Sequence, residues 1–179
     1  MEFLIEEVIE LMDNVFVDVE TTSFHKTFRR PWEIALIADH NASVTYHVDD
    51  LDLTGSDEES LAKSAFWKRY NKDSEIILLS ENIIAKTVHT ITRNRNLIGC
   101  ATWFDAAVLE EMLERNNLPA EWNDVICIQK LVSDRVGKRV QGLAKCADLL
   151  GIYYKKEELH SAFADAKLAK EIYKKVIND

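Results

Sequence analysis

Apolar and polar residues alternate over Val15–Thr22, Val-Phe-Val-Asp-Val-Glu-Thr-Thr, with the two-residue period of a β-strand. That period puts Phe16, Asp18 and Glu20 on one face and Val15, Val17 and Val19 on the other. Glu33–His40 reads as a second strand, Asn41-Ala42 as a turn and Ser43–Val48 as a third strand. Connections this short predict an antiparallel meander. Before it, residues 2–13 carry Leu4, Ile5, Val8, Ile9 and Met12 among glutamates, the pattern of a short amphipathic helix.

Helical spacing takes over after an acidic loop, Asp49–Asp57. Ser56-Asp57-Glu58-Glu59 has the form of a capping box and opens a helix to about Tyr70. Ser80 caps a helix with Ile84, Val88 and Ile91 on one face. Leu97–Cys100 is a short apolar run fit for a buried strand, followed by a helix with Val108, Leu109, Met112 and Leu113 inward. Val125–Leu131 is expected to be a strand, and Gln141–Leu150 a helix stopped by Gly151. The last helix runs from about Ser161 to Ile177. Hairpins followed by alternating helices and strands predict an α/β mixed sheet, a meander of three strands then parallel strands, with helices on both faces. The expected organisation is one domain over residues 1–179, residues 1–13 forming a helical N-terminal extension.

Composition narrows the class of protein. Five glycines and two prolines in 179 residues do not make long disordered tracts. No apolar run approaches the roughly 18 residues of a membrane span, and the first residues are acidic where a leader would be basic. The expectation is a soluble, cytoplasmic protein. Cys100, Cys127 and Cys146 are odd in number and widely spaced, which favours small apolar residues over a zinc cage or disulfides. A net charge of −9 excludes coating of nucleic acid by bulk electrostatics, though not a local site for it.

Asp18 and Glu20 are two acids on one strand face, and burying them together costs hydration and adds repulsion. A divalent cation would relieve both. Asp105 opens a mid-chain helix, where an acid is also explained by the helix N-terminus alone. Asp165 sits among alanines and Phe163 at the start of the last helix, on a face fit for packing. His160, five residues earlier, would lie about 140° from Asp165 in a regular helix, so it is expected on the preceding loop. Arg29 with Arg30, or Arg135, Lys138 and Arg139, could guide a polyanion, and a solvated surface explains them as well. Lys167, Lys170 and Lys174 share a face of the last helix, where cations suit the C-terminal end.

Taken together, Asp-x-Glu on the first strand, Phe104-Asp105 at a helix start and His160-x4-Asp165 at the last helix resemble the DEDDh exonucleases. This is the DnaQ-like 3′→5′ exonuclease family with a ribonuclease H-like fold. The resemblance runs from Val15 to Val176 and includes Pro31–Ile37 and Gln141–Ile152. The compact chain and its Trp32-Glu33-Ile34-Ala35 strand are similar to phage-encoded members, which would place it in host cytoplasm. The resemblance implies catalytic Asp18, Glu20, Asp105, His160 and Asp165. Its four acids would hold two Mg²⁺, with Mn²⁺ able to substitute, and His160 would be the general base. Thr21 and Phe24 would bind the terminal nucleotide, Phe24 by stacking. Ser23 stands where members often have Gly, and Gly99–Thr102 supplies no Asn before the Phe-Asp pair.

The implied activity is release of 5′-mononucleotides from DNA 3′ ends, with a polymerase or replication protein as a conceivable partner. Trimming of RNA 3′ ends uses the same residues and stays open. A non-catalytic nucleic-acid or polymerase-binding module is the reading from another class, opposed by the complete set of acids. A phosphatase with an aspartyl nucleophile would leave His160 and Asp165 unexplained.

Overall fold

The computed structural model describes residues 14–72 and 76–178, so the helix expected over 2–13 lies outside the described residues. Six strands form one sheet: β1 (Asn14–Thr21), β2 (Pro31–Ala38), β3 (Ser43–Val48), β4 (Ile77–Leu79), β5 (Asn96–Gly99) and β6 (Val125–Cys127). Their spatial order is β4-β3-β2-β1-β5-β6. β1–β3 form the antiparallel meander, whereas β4, β5 and β6 pair in parallel with β3, β1 and β5.

The alternation in β1 sorts its side chains as expected. Val15, Val17 and Val19 enter one core with Ile34 and Leu36, under α3 (Glu81–Thr92) and α4 (Thr102–Arg115). Phe16 enters the other core with Ala35, Ile37 and Ile98, under α5 (Ile128–Val136), α6 (Leu143–Leu149) and α7 (Ala162–Asn178). A sheet covered on both faces needs apolar side chains on both, and β2 is buried over nearly its whole length. Gly99 ends β5 against β1, where a Cβ would stand 2.6 Å from the Val17 carbonyl oxygen. No helix among the described residues is long and apolar enough to cross a membrane.

Several local expectations are corrected. The helix expected to run to Tyr70 is two short ones, α1 (Glu58–Lys63) and α2 (Phe66–Arg69), divided at Ala65, whose φ is +52°. Asp57, not Ser56, is the cap: its Oδ1 accepts the Ser60 N–H at 2.6 Å and its Oδ2 the Phe24 N–H at 3.0 Å. The strand expected over Val125–Leu131 ends at Cys127, because Ile128 and Val132 are buried at helical spacing and begin α5. β4 is three residues long, too short for a periodicity to register. Lys170 is not a surface cation of α7. It is buried, its Nζ donating to the Asp39 carbonyl at 2.8 Å, Asn41 Oδ1 at 3.0 Å and the Ala38 carbonyl, and so ties α7 to the β2–β3 turn.

Candidate active site

The carboxyl ends of parallel strands in an open sheet leave a crevice in which backbone ends and helix starts converge. Here β1 delivers Asp18 and Glu20 to that crevice, beside a register shift between Glu20 and Thr21. Beyond β5 the chain turns through Ala101, with φ +57°, directly into α4, whose first turn carries Asp105. Asp165 comes from the first turn of α7, and His160 from the loop before it. All five, with Thr21 and Phe24, line one cleft of about 400 Å³.

The five do not play equal geometric parts. Glu20, His160 and Asp165 present ligand atoms within 4.8 Å of one another. Asp105 is deeper and turned toward β1, its Oδ1 accepting the Val19 N–H at 2.9 Å. Asp165 accepts the His160 N–H through Oδ2 at 3.2 Å, while its Oδ1 is buried without a hydrogen-bond partner.

The charges of the cleft are frustrated. Burial, then the neighbouring acids Asp105, Glu20 and Asp165, push Asp18 well above the ordinary carboxyl range. Burial and Glu33 raise Glu20 to about 8. Burial raises Asp105 to about 8 in spite of the Val19 N–H, and raises Asp165 to about 6. Crowded oxygen donors, one of them an orphaned carboxylate oxygen, fit a hard divalent cation. His160 is shifted the other way, below its usual value, by burial and by the Lys63 ammonium.

Trp103, Lys63 and Ser60, outside the expected set, also line the cleft. Trp103 is 68% exposed and Phe24 49% exposed, and both line it. The Phe24 ring lies 6.2 Å from that of Phe104 and 5.6 Å from Lys63 Nζ. Trp103 was legible: it lies nine residues before the inward Met112, half a turn away on the helix, so it had no place in the core. Lys63 had no such mark among the other surface lysines. Ser60 Oγ donates to the Thr21 carbonyl at 3.0 Å, fixing the backbone at the end of β1.

The basic clusters resolve unequally. Arg29 is buried and forms a forked pair with Glu111 at 2.6 and 2.8 Å, so its charge is not free for a polyanion. Arg135 donates to the Val176 carbonyl at 3.1 Å. Burial holds the Cys100 thiol up at about 12 and that of Cys146 at about 11, so both remain protonated, in keeping with a packing role.

Comparison with curated proteins returned no match. Among solved structures, the fold is similar to exonuclease I in its apo form, with TM-score 0.71, 15% identity, and coverage of 91% of this chain and 41% of that one. It is also similar to the zinc-bound form of E. coli exonuclease I with single-stranded DNA (TM-score 0.73, 15% identity, 91% and 40% coverage). A third similar structure is E. coli exonuclease I with a dA16 oligonucleotide (TM-score 0.67, 15% identity, 91% and 40% coverage). The chain therefore spans about two fifths of the length of these relatives, and at such identity the likeness establishes the ribonuclease H-like fold. A phage origin does not follow from these matches. The model of the RNase T exonuclease family matches residues 15–173, and the chain belongs to that family, of the DEDDh type.

Proposed function

We propose that this chain is a metal-dependent 3′→5′ exonuclease acting on unpaired DNA ends and releasing 5′-mononucleotides. The observation that carries the reading is the convergence of Asp18, Glu20, Asp105 and Asp165 in one cleft, with all four acids raised by burial and by neighbouring carboxylates and Asp165 Oδ1 left without a partner.

Asp18, Glu20, Asp105 and Asp165 are the residues that would hold two Mg²⁺ or Mn²⁺. Such ions, when bound, stabilise the attacking and leaving oxygens of phosphodiester hydrolysis. The remaining work falls to the protein. His160, held below its usual pKa, is neutral near pH 7 and able to take the proton from the attacking water. Its ring lies on the exposed rim with a nitrogen within 4.8 Å of carboxylate oxygens of Glu20 and Asp165, which supports this role. Asp165 holds the His160 N–H and so orients the loop that carries the base.

The end of a strand is read by Thr21, Phe24 and Trp103. Thr21 offers its backbone at the irregularity that ends β1, and the two exposed aromatics give faces on which unstacked bases can rest. Stacking of this kind is available to an unpaired end and not to one still within a duplex. DNA is favoured over RNA because similar folds, the exonuclease I structures, hold single-stranded DNA.

The test is digestion of 3′-labelled single-stranded DNA, and of a matched RNA, with Mg²⁺ or Mn²⁺. Wild type should shorten the DNA from its 3′ end, a blocked 5′ end should be ignored, and circles should survive. Unchanged degradation by Asp18→Ala would sink the assignment. Faster digestion of the RNA would transfer it to RNA 3′ ends.

A further inference from the structure

Glu33 and Arg69 are not among the five expected catalytic residues, yet Arg69 reaches the His160 carbonyl and Glu33 the first residue of α7. Glu33 faces Glu20 directly across the β1–β2 ladder, and its side chain is 1% exposed. Burial opposes its ionisation. The His47 ring, the Arg69 guanidinium and the Ala162 N–H together outweigh burial and hold the carboxyl below its ordinary value. Its two oxygens are both engaged, Oε1 by Arg69 and Oε2 by the Ala162 N–H at 3.1 Å. Glu33 is thus not a spare ligand for a cation in the cleft. It is a carboxylate placed at the N-terminus of α7, where the helix dipole favours it.

Arg69 uses the other half of its fork. Nη1 donates to the Ser64 carbonyl at 2.9 Å and to the His160 carbonyl at 2.7 Å. The guanidinium lies 5.2 Å from the centre of the Trp32 ring. His160 is therefore held from both sides, its carbonyl by Arg69 and its N–H by Asp165. Its φ of +65° is one that a residue with a side chain does not adopt cheaply, so these contacts are what keep it there.

We infer that the buried Glu33–Arg69 pair is a latch that positions His160 and the first turn of α7 for catalysis. Arg69 acts through His160 and does not touch the reacting atoms. This rests on the proposed role of His160, and part of its test is independent of that role. A lysine cannot reproduce the latch, because one ammonium has no fork with which to span Glu33 and two carbonyls.

The experiment is a double-mutant cycle with amide exchange alongside it. Arg69→Ala should lower kcat about 30-fold with KM for the oligonucleotide changed less than about twofold, as expected when a group needed only for the chemical step is misplaced. Arg69→Lys should lie between. In a His160→Ala background the same Arg69→Ala change should cost less than about threefold, since a residue acting through another loses its effect when that other is gone. An equal loss in both backgrounds, or a raised KM, overturns the latch and makes Arg69 a phosphate contact in the groove it shares with Lys68 and Lys72. A lower melting temperature with unchanged kcat also overturns it, leaving Arg69 a purely structural residue.

Exchange of the His160 and Ala162 amide protons, followed by NMR, should speed up about tenfold in Arg69→Ala, and the Ala162 amide likewise in Glu33→Gln. Unchanged exchange in both variants refutes the latch whatever the activity. Accelerated exchange in the variants, with a wild-type protein that degrades no nucleic acid, would sink the proposed function and leave the latch standing as a positional device. Should Arg69→Ala fail to fold, Arg69→Lys and Glu33→Gln carry the same comparisons.

Discussion

The Val19 N–H and the Asp105 carboxylate are joined by a 2.9 Å hydrogen bond between β1 and the first turn of α4. The bond falls between the two acids of β1, so Asp105 both bears charge for the cleft and fastens the helix to the strand that supplies Asp18 and Glu20. Asp105→Asn keeps an oxygen to accept that N–H and removes the charge. Activity is expected to fall at least about 100-fold, in line with loss of a carboxylate that would hold a cation needed to stabilise the transition state. The melting temperature without metal is expected to stay level or rise. Unfolding of Asp105→Asn at a much lower temperature would show that the carboxylate's charge, not its hydrogen bond, joins the two elements.

Stability without metal should depend on pH in an unusual direction. A carboxyl whose pKa is higher folded than unfolded binds its proton more tightly in the fold, so its support is present at low pH and lost as pH rises through the folded value. The loss begins at the ordinary carboxyl value of about 4 and is complete at about 6 for Asp165 and about 8 for Glu20 and Asp105. In a chelating buffer the melting temperature should fall from pH 6 to pH 8.5. Added Mg²⁺ or Mn²⁺ should restore it, more at pH 8 than at pH 6, because the ion displaces protons and binds only the folded form. A melting temperature indifferent to both pH and cation would contradict the crowding of these acids.

Trp103→Ala should raise KM for single-stranded ends about tenfold and leave kcat within about threefold, from a stacking contribution of about 1–3 kcal/mol per base. Trp103→Phe should recover most of the loss. Trp103 fluorescence, read as the difference between Asp18→Ala proteins with and without Trp103→Phe, should also quench on titration of an oligonucleotide. No change in KM would remove Trp103 from the binding surface.

At Gly99 the neighbouring backbone, not conformation, excludes a side chain. Gly99→Ala would set a methyl 2.6 Å from the Val17 carbonyl oxygen and push β5 from β1. A loss of about 1–3 kcal/mol is expected, the usual cost of overpacking, readable by urea denaturation. Because β5 leads into Asp105, activity should fall as well.

Legibility in the sequence followed the range of the interaction involved. The two faces of β1 and the inward row of α4 were readable because period and burial coincide there. Asp18, Glu20, Asp105, His160 and Asp165 were grouped through the resemblance to the DEDDh exonucleases, and they line one cleft. The break at Ala65 was hidden, since an alanine carries no sign of a left-handed turn imposed by packing around it. Lys170 was misplaced because its partners, the carbonyls of residues 38 and 39, lie more than 130 positions away in the chain. Glu33 and Arg69 were passed over for the same reason: their meaning lies in the Ala162 N–H and the His160 carbonyl.

Lys170→Met gives a clean contrast with the cleft. It would leave two backbone carbonyls and Asn41 Oδ1 without their buried donor, at a cost of about 1–3 kcal/mol. Turnover at a temperature where the variant is folded should match wild type, because the β2–β3 turn lies beside Val15, toward the opposite end of β1 from Glu20 and Thr21. A selective loss of kcat would show that the turn and the cleft communicate.

The left-handed backbone at His160 sets robustness against chemistry at a single position. Glycine is the residue most at ease there, and it has no imidazole. A screen of this chain for heat resistance alone would therefore drift toward His160→Gly and collect durable, silent proteins. One selecting for degradation would hold histidine in place against that drift. Variants at residue 160 that melt higher while digesting nothing would be the mark of a site kept for what it does rather than for how it folds.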